Sequence, residues 1–319
     1  MSGESFRYLS RADVEAVGLS GIDVMDILEG AFRAKRAGDV EMPPKIGVHP
    51  RDDAFIHAMP AYLSDSDAVG LKWVAGYPSN QVLGLPYLHG LFVLSEAATG
   101  RPLAVMDATW ITELRTAAAS MLGIRPLAGG AVESVGIVGC GRQGQIHLEL
   151  AGEVFPNLRR AALFDTHRDR AEALGAAHPS LEVEVASGPE QVGADMQVVI
   201  TCTPIVRNPD RPLRRTQLAD ASVACAVDFD ATLSEDLFGA AGLFVVDDLP
   251  QYRYYRQQGY FAGYPAEAVE LADVLARDAP LPDGLSIYAP LGIALEDVAV
   301  AAEVNRRAAE AGLGRALQL

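Results

Sequence analysis

The sequence VGIVGCGRQGQIH, residues 135–147, is the strongest indication of the fold that we expect for this chain. The apolar residues 135–138 predict a strand, and a helical pattern follows the glycines. Gly139 allows a tight turn, Gly141 lets the backbone approach a pyrophosphate, and Gly144 lets the helix pack on the strand. The backbone N–H groups at the start of this helix would face the phosphates. The stretch therefore predicts a dinucleotide site.

Asp165 ends a second apolar run, residues 161–164, at about the distance where a carboxylate binds the ribose hydroxyls of a dinucleotide. A carboxylate there would repel a 2′-phosphate, so we expect NAD as the cofactor. Arg168 leaves NADP open, because an arginine can turn toward a 2′-phosphate. The alternative role of Asp165 is to cap the helix that begins near His167. The complete predicted cofactor site is Gly139, Gly141, Arg142, Gln143, Gly144, Asp165, Thr166, Arg168, Thr201, Cys202 and Thr203.

The composition predicts an ordered globular protein of two domains, with 319 residues of which 50% are hydrophobic. A net charge of −16 argues against nucleic acid or an anionic membrane as a partner. The three cysteines, Cys140, Cys202 and Cys225, lack metal-ligand spacing, so we predict free thiols and no metal. The chain shows neither a secretory leader nor a membrane-length apolar run, which makes the cytoplasm the expected location.

Two kinds of sheet are predicted from the order of the apolar runs. Helices after Ser10 and Ser20 precede four strand-like runs between residues 55 and 108, which suggest a mainly antiparallel sheet. A helix over residues 112–128 leads into the glycine-rich strand. From Val135 to about Val246, short apolar strands alternate with helices, which predicts a doubly wound parallel sheet of the Rossmann type. The fold class is therefore α/β with a second α+β domain.

Three segments together resemble the ornithine cyclodeaminase/mu-crystallin family of nicotinamide-dependent enzymes. They are GLKWVAGYPSN (residues 70–80), GLPYLHGLFVLSEAATGRPLAVMDATWITELRTAAAS (84–120), and GIVGCGRQGQIH (136–147) with the later GIALEDVAVA (292–301). The resemblance implies a substrate-binding and dimerisation domain formed by residues 1–118 and 293–319. It implies an NAD-binding Rossmann domain over residues 119–292, across a cleft from the first domain, and a homodimer that pairs through the first domain.

The resemblance also implies that Lys72 and Arg115 hold the carboxylate of a small substrate, with Lys45 as a third cation. The chemistry supports this independently, because a small amino acid must be anchored for its Cα to come within hydride reach of the nicotinamide. A guanidinium fork suits a planar carboxylate. The alternatives are a solvent-facing strand lysine and an exposed arginine in the first turn of a helix.

A carboxylate after the strand VACAV is the expected catalytic group, and the resemblance assigns it to Asp230. Its task would be to exchange a proton with the substrate amine or to stabilise an iminium during hydride transfer. Asp228 is the rival, and we favour Asp230 at this point. The loop lacks the Pro-Gly-Lys that the family usually carries here, so we expect it to follow another path and to narrow the pocket.

His57 and Tyr87 are the remaining candidates for substrate contact. His57 stands where, by our alignment, a true cyclodeaminase has an acid for the distal amine of ornithine, so ornithine is a doubtful substrate. The alternative is an ordinary hydrogen-bonded strand histidine. Tyr87 and the tyrosine-rich residues 251–265 add bulk and hydroxyls, most of them for packing or a dimer surface. We expect His147 on the first Rossmann helix, in a structural role.

The sequence thus predicts an NAD-linked oxidoreductase that transfers a hydride at Cα of an α-amino or imino acid. Its activity would be that of an amino acid dehydrogenase or of a cyclic imine or ketimine reductase. An ornithine-type cyclodeaminase is the first alternative. A nucleotide-dependent binding protein of low turnover, of mu-crystallin type, is the second.

Overall fold

The computed structural model describes residues 4–239, 241–278 and 280–319, apart from the side chain of Gln81. The chain divides into two compact units. The first unit holds the described residues up to Arg115 together with Gly292–Leu319, and the second holds Thr116–Leu291. Each unit has its own sheet, so each is described separately below.

The secondary structure alternates between strands and helices along the chain. The strands are β1 Ser5–Leu9, β2 Val40–Glu41, β3 Ile46–Val48, β4 Phe55–Leu63, β5 Ala68–Gly76, β6 Leu88–Glu96, β7 Pro102–Asp107, β8 Ser134–Val138, β9 Arg160–Phe164, β10 Glu182–Val185, β11 Val198–Thr201, β12 Val223–Ala226, β13 Ala241–Val246, β14 Val269–Glu270, β15 Leu285–Ala289 and β16 Arg315–Gln318. The helices are α1 Arg11–Ala16, α2 Gly21–Ala37, α3 Thr109–Ala128, α4 Arg142–Val154, α5 Arg168–Ala177, α6 Pro189–Val192, α7 Leu249–Gln257, α8 Leu271–Leu275 and α9 Ala294–Ala311.

The first unit is built on a mixed, mainly antiparallel sheet, as predicted. Its strand order is β16-β1-β7-β6-β5-β4-β2, and β3 also pairs with β4. Among the described strands of this first sheet, only the β1–β7 pair is parallel. The predicted starts of α1 and α2 are confirmed, because Ser10 and Ser20 each form a capping box with the aspartate three residues on.

The two faces of this first sheet differ in what covers them. Lys72 lies opposite Met59 and Phe92, and the three side chains share a fully buried face on which α9 packs against β4 and β5. The neighbouring residues Leu71 and Trp73 point to the other face, where they remain about 40% exposed. The alternation along β5 therefore buries a charged side chain and leaves apolar ones exposed.

The second unit contains the predicted parallel doubly wound sheet. Its order is β10-β9-β8-β11-β12-β15-β13-β14, and every pair is parallel. The strand order reverses between β8 and β11, which is where open α/β sheets of this kind bind ligands. The glycine-rich turn leaves β8 at this point, so the fold places the predicted dinucleotide site at the expected edge.

Some strands were not predicted. β10 has the sequence EVEV, whose alternating charges fit an edge strand, and β15 follows the proline-containing segment 279–283. β16 is an exposed strand after the last helix that pairs with β1. β10 and β16 lack the apolar run between turn residues on which the prediction of strands depended, whereas the run LSIYA of β15, between Gly284 and Pro290, has that pattern and was missed.

Candidate active site

The glycine-rich turn has the backbone geometry that the sequence predicts. Gly139 has a φ of +97°, and a Cβ there would lie 2.7 Å from the carbonyl oxygen of Cys202. A Cβ on Gly144 would lie 2.1 Å from the carbonyl oxygen of Gly139, so only glycine lets α4 approach the turn this closely. A Cβ on Gly141 would meet no protein atom within 4 Å. The space beside Gly141 therefore fits a pyrophosphate, and this residue, as N-cap of α4, has no side chain to cap the first turn.

Asp165 stands directly after β9 and is bound to the turn. One carboxylate oxygen accepts a hydrogen bond from the backbone N–H of Cys140 at 2.8 Å, and the other accepts one from the N–H of His167 at 2.8 Å. Helix α5 has His167 as its N-cap, so the alternative of Asp165 as the N-cap residue itself is wrong. Thr166 and Arg168 are exposed, and the Arg168 guanidinium pairs with Glu172 at 2.8 Å.

The ends of β11 and β12 meet at the same edge of the parallel sheet. Asp228 is buried there and accepts hydrogen bonds from the hydroxyls of Thr201 and Thr203 at 2.6 Å and of Thr232 at 2.5 Å. Burial raises the pKa of Asp228, although these hydrogen bonds oppose the rise. The neighbouring Cys202 donates its N–H to the carbonyl oxygen of Val138, which fixes β11 beside the glycine-rich turn.

Asp230 is held differently, by an arginine and a backbone amide. Its Oδ2 atom accepts hydrogen bonds from Arg211 at 2.5 Å and from the N–H of Phe261 at 2.8 Å. Its Oδ1 atom is buried and has no hydrogen-bond partner among the described residues. Between the two aspartates, Phe229 has a φ of +62°, a conformation that costs a side-chain-bearing residue free energy. This loop therefore takes a strained path, with an aspartate on each side of the strained residue.

Aromatic packing surrounds this loop. The ring of Phe229 contacts those of Tyr255, Tyr260 and Phe261 at centroid distances of 4.9 to 5.9 Å. Tyr252 is fully buried, and its hydroxyl donates to the carbonyl oxygen of Pro265. These contacts account for several of the tyrosines in residues 251–265 by packing.

His147 lies on α4 and joins it to α3. One ring nitrogen lies 2.9 Å from the hydroxyl of Ser120, and the other lies 2.8 Å from the carbonyl oxygen of Gln143. Burial lowers the pKa of His147 to about 4, so the ring is neutral at physiological pH. The contacts of His147 are those of a structural residue.

In the first unit, Lys72 and Arg115 meet two adjacent acids at the start of α9. The Lys72 ammonium lies 2.6 Å from Oδ2 of Asp297, and the Nε of Arg115 donates to Oδ1 of the same carboxylate at 3.0 Å. The Nη1 of Arg115 donates to Oε2 of Glu296 at 2.7 Å. We call these four residues the charged cluster. All four are at least 95% buried, so neither cation is the exposed side chain that the alternatives described.

Burial changes the protonation behaviour of the charged cluster. It lowers the pKa of Lys72 to about 8, with Arg115 adding to this effect and Asp297 opposing it. It raises the pKa of Glu296 to about 7, although Arg115 opposes the rise. The Oε1 atom of Glu296 is buried with no hydrogen-bond partner among the described residues. Oδ2 of Asp297 also lacks a hydrogen bond of good geometry there, but it lies 2.6 Å from the Lys72 ammonium.

The other predicted substrate residues of the first unit differ in burial and in their contacts. Lys45 is buried, and its ammonium donates to the carbonyl oxygen of Gly292 at 3.2 Å. His57 stacks on Phe55 at 4.4 Å, and burial, aided by Lys45, lowers its pKa to about 3. Tyr87 is half-buried in the segment before β6.

Sequence reasoning missed the acids of the charged cluster. Glu296 and Asp297 stand in the segment GIALEDVAVA, which contributed to the family resemblance but received no chemical role. The signal that could have identified them is two adjacent acids in an otherwise apolar helix start, because buried acids need cations. Gly292, in the same segment, has a φ of +68°, and a Cβ there would lie 2.7 Å from the guanidinium of Arg115.

No helix in the described part of the chain is long and apolar enough to cross a membrane. The described residues contain no group of three or more histidine, cysteine, aspartate or glutamate side chains able to hold a metal ion.

A glycine-rich turn at the reversal point of a parallel sheet, with an aspartate after the second strand, defines a dinucleotide-binding protein. Residues 7–312 match the model of the ornithine cyclodeaminase/mu-crystallin family, so the chain belongs to that family. It is 33% identical to the nodulation efficiency protein NfeD of Rhizobium meliloti, over 97% of both chains.

Two solved structures share the whole fold. One is an archaeal alanine dehydrogenase dimer with bound NAD, which is 27% identical, with a TM-score of 0.86 over 99% of this chain and 100% of that one. The other is Thermococcus litoralis Δ1-pyrroline-2-carboxylate reductase in complex with NADH and L-proline, which is 26% identical. Its TM-score is 0.83, over 97% of this chain and 99% of that one.

Proposed function

We propose that this protein is an NAD(H)-dependent oxidoreductase that transfers a hydride at Cα of an α-amino or imino acid. The observation that carries the proposal is the buried pair of cations, Lys72 and Arg115, on a unit separate from the dinucleotide fold. Buried cations held by acids are suited to bind a small carboxylate in a low-dielectric site. Both solved relatives are named for reactions of this class, one as a dehydrogenase and the other as a reductase of a cyclic imine.

The roles follow from the chemistry of each group. Arg115 and Lys72 anchor the substrate carboxylate, and Lys45 adds positive charge nearby. NAD, held at the turn beside Gly141, supplies the hydride acceptor or donor when bound. We propose that Asp228, rather than the sequence-favoured Asp230, exchanges a proton with the substrate nitrogen, because burial raises its pKa and Arg211 already pairs with Asp230.

The test of this function is a change in nicotinamide absorbance with a panel of substrates. NAD would be combined with L-amino acids, and NADH with cyclic imines or with keto acids plus an amine. We expect turnover with at least one member of the panel. Tight NADH binding without turnover on any member would contradict the proposal and favour a binding protein of low turnover.

Dehydrogenase or imine reductase activity is favoured over ornithine cyclodeamination by the state of His57. A cyclodeaminase for ornithine needs a group that binds a distal ammonium, and burial lowers the pKa of His57 to about 3. A neutral ring can accept a hydrogen bond from an ammonium, but it carries no negative charge, and Lys45 and Lys72 would repel a second ammonium. We therefore expect ornithine to be a poor substrate compared with amino acids that have an apolar side chain.

The preference for NAD is proposed to depend on Asp165. Replacing Asp165 with serine is expected to shift the ratio of kcat/KM for NAD over NADP by at least about tenfold toward NADP, because the repulsion of a 2′-phosphate is removed (~1.4 kcal/mol). The matched control is Asp169→Ser, which removes an exposed acid from the first turn of α5 and should leave the ratio unchanged. An unchanged ratio in Asp165→Ser would show that Asp165 does not contact the ribose.

The exposed face of the first sheet is proposed to pair two copies into a homodimer. Trp73 and Leu91 are cross-strand neighbours that are 40% and 46% exposed, with Leu71 beside them at 38%. Adjoining exposed apolar side chains are typical of an interface. The archaeal relative is described as a dimer, which supports the same state here.

Replacing Trp73 with glutamate is expected to convert the dimer into a monomer at micromolar concentration, because a charge would be buried without a partner. Size-exclusion chromatography with light scattering measures the mass. Ile22→Glu is the control, since Ile22 is 39% exposed but lies on α2. A Trp73→Glu protein that keeps the mass of the dimer would place the interface elsewhere.

A further inference from the structure

The charged cluster is balanced before any substrate arrives. Lys72 and Arg115 carry two positive charges, and Glu296 and Asp297 carry two negative charges when both are ionised. All four lie in the interior of the first unit, where an uncompensated charge is costly. A substrate carboxylate adds a third negative charge to the same two cations. Lys45, the third predicted cation, donates to the carbonyl oxygen of Gly292. Binding therefore requires either that the charge of Lys45 compensates the substrate carboxylate or that the cluster loses a negative charge.

The contacts within the cluster indicate that Glu296, rather than Asp297, is the acid that can be protonated. Asp297 is in contact with both cations, through Oδ2 to Lys72 and through Oδ1 to Arg115. Among the described residues, Glu296 pairs with Arg115 alone, through Oε2, and its buried Oε1 has no donor. An ionised oxygen in that state is unfavourable, and a proton on it would provide a donor for an incoming carboxylate.

We propose that Glu296 takes up one proton from solvent when Lys72 and Arg115 bind the substrate carboxylate, and that this uptake keeps the buried cluster neutral. The proposal rests on the proposed function, since it assumes that this pair binds the carboxylate. The step is a proton transfer alone: an O–H bond forms at Oε1, the proton comes from water or buffer, and nothing is oxidised or reduced.

The surroundings of Glu296 support this assignment over other titrating groups. β5 contributes Lys72, α3 contributes Arg115, and β4 contributes His57, whose pKa of about 3 keeps it neutral. The buried residues of α1 and α2 are apolar, and β6 contributes Phe92 on the same sheet face. Burial raises the pKa of Glu296 to about 7, so little free energy is needed to protonate it near neutral pH.

Lys72 is the competing proton acceptor, because its pKa of about 8 lies close to the same range. The variant Glu296→Gln separates the two. Glutamine keeps the acceptor for Arg115, offers an N–H donor in place of the proposed O–H, and cannot titrate. Proton uptake by Lys72 would persist in this variant, whereas uptake by Glu296 would disappear.

The experiment is isothermal titration calorimetry of L-proline into the NADH-saturated protein, or of L-alanine where L-proline does not bind. Titrations at pH 8 in two buffers with different heats of protonation give the number of protons taken up. We expect the wild type to take up close to one proton more than Glu296→Gln. We also expect its Kd to rise roughly fivefold from pH 7 to pH 8 through Glu296, a rise that the variant lacks.

The controls distinguish failure of the proposal for Glu296 from failure of the proposed function. Glu303→Gln, the same change at a partly exposed position on α9, should match the wild type in proton uptake. Thermal unfolding at pH 8 should give Glu296→Gln a melting temperature equal to or above that of the wild type. Equal proton uptake by wild type and variant would overturn the role of Glu296 while leaving the proposed function intact. Failure of every member of the substrate panel to bind, even at pH 6, would overturn the proposed function and this proposal with it.

Discussion

Replacing Arg115 with lysine is expected to raise the KM for the amino or imino acid by roughly 100-fold while leaving the Kd of NAD unchanged. A lysine keeps the positive charge but loses the planar fork, and with it the paired hydrogen bonds to a carboxylate. One or two charge-assisted hydrogen bonds correspond to about 3 kcal/mol, or about two powers of ten in affinity. The proposed NAD site belongs to the other unit, so the Kd of NAD should not respond.

The measurements are initial rates over a range of substrate concentrations and NADH binding followed by fluorescence. Arg125→Lys is the matched control, because it makes the same change at an exposed position of α3. An equal loss of substrate and cofactor affinity in Arg115→Lys would contradict the separation of the two sites. An unchanged KM would remove Arg115 from the carboxylate contact.

Arg115→Ala would not separate lost substrate binding from lost stability. Alanine at 115 would leave Glu296 without its cation and Asp297 with Lys72 alone. Breaking a buried ion pair costs about 3–5 kcal/mol of stability, which is a large part of the total for a domain. Activity lost in this variant would combine misfolding with lost binding, so lysine is the better substitution.

The parts of this molecule that sequence reasoning could predict are those fixed by local rules. The three glycines of the turn have their roles because of φ angles and close approaches within a few residues of chain. The starts of α1 and α2 depend on a serine and an aspartate three residues apart. The antiparallel sheet of the first unit is predicted by alternation within each strand.

The partners of the predicted site residues could not be derived in that way. Arg115 and Asp297 are 182 residues apart in the chain, and no periodicity connects them. The family resemblance identified Lys72 and Arg115 but not the acids that hold them in the interior. The resemblance assigns the catalytic role to Asp230 on a loop that departs from the family pattern, and the pairing of Asp230 with Arg211 depends on how that loop folds.

Replacing Asp228 with asparagine is expected to lower kcat by about 10²–10⁴, the usual contribution of a positioned general acid or base, with a much smaller change in KM. Asparagine is close in shape, and the hydroxyls of Thr201, Thr203 and Thr232 can reorient toward it. The loss should therefore reflect proton transfer rather than a displaced loop.

Asp230→Asn is the matched partner of that variant, since it makes the same change two residues away. It removes the charge that pairs with Arg211 and weakens the acceptor for the N–H of Phe261, so its expected effect is a lower melting temperature with kcat within a few-fold of wild type. Steady-state rates and thermal unfolding on both variants distinguish the two roles. If Asp230→Asn loses turnover while Asp228→Asn keeps it, Asp230 is the group that exchanges the proton. In that case its buried Oδ1, which has no partner among the described residues, is the atom that would hold it.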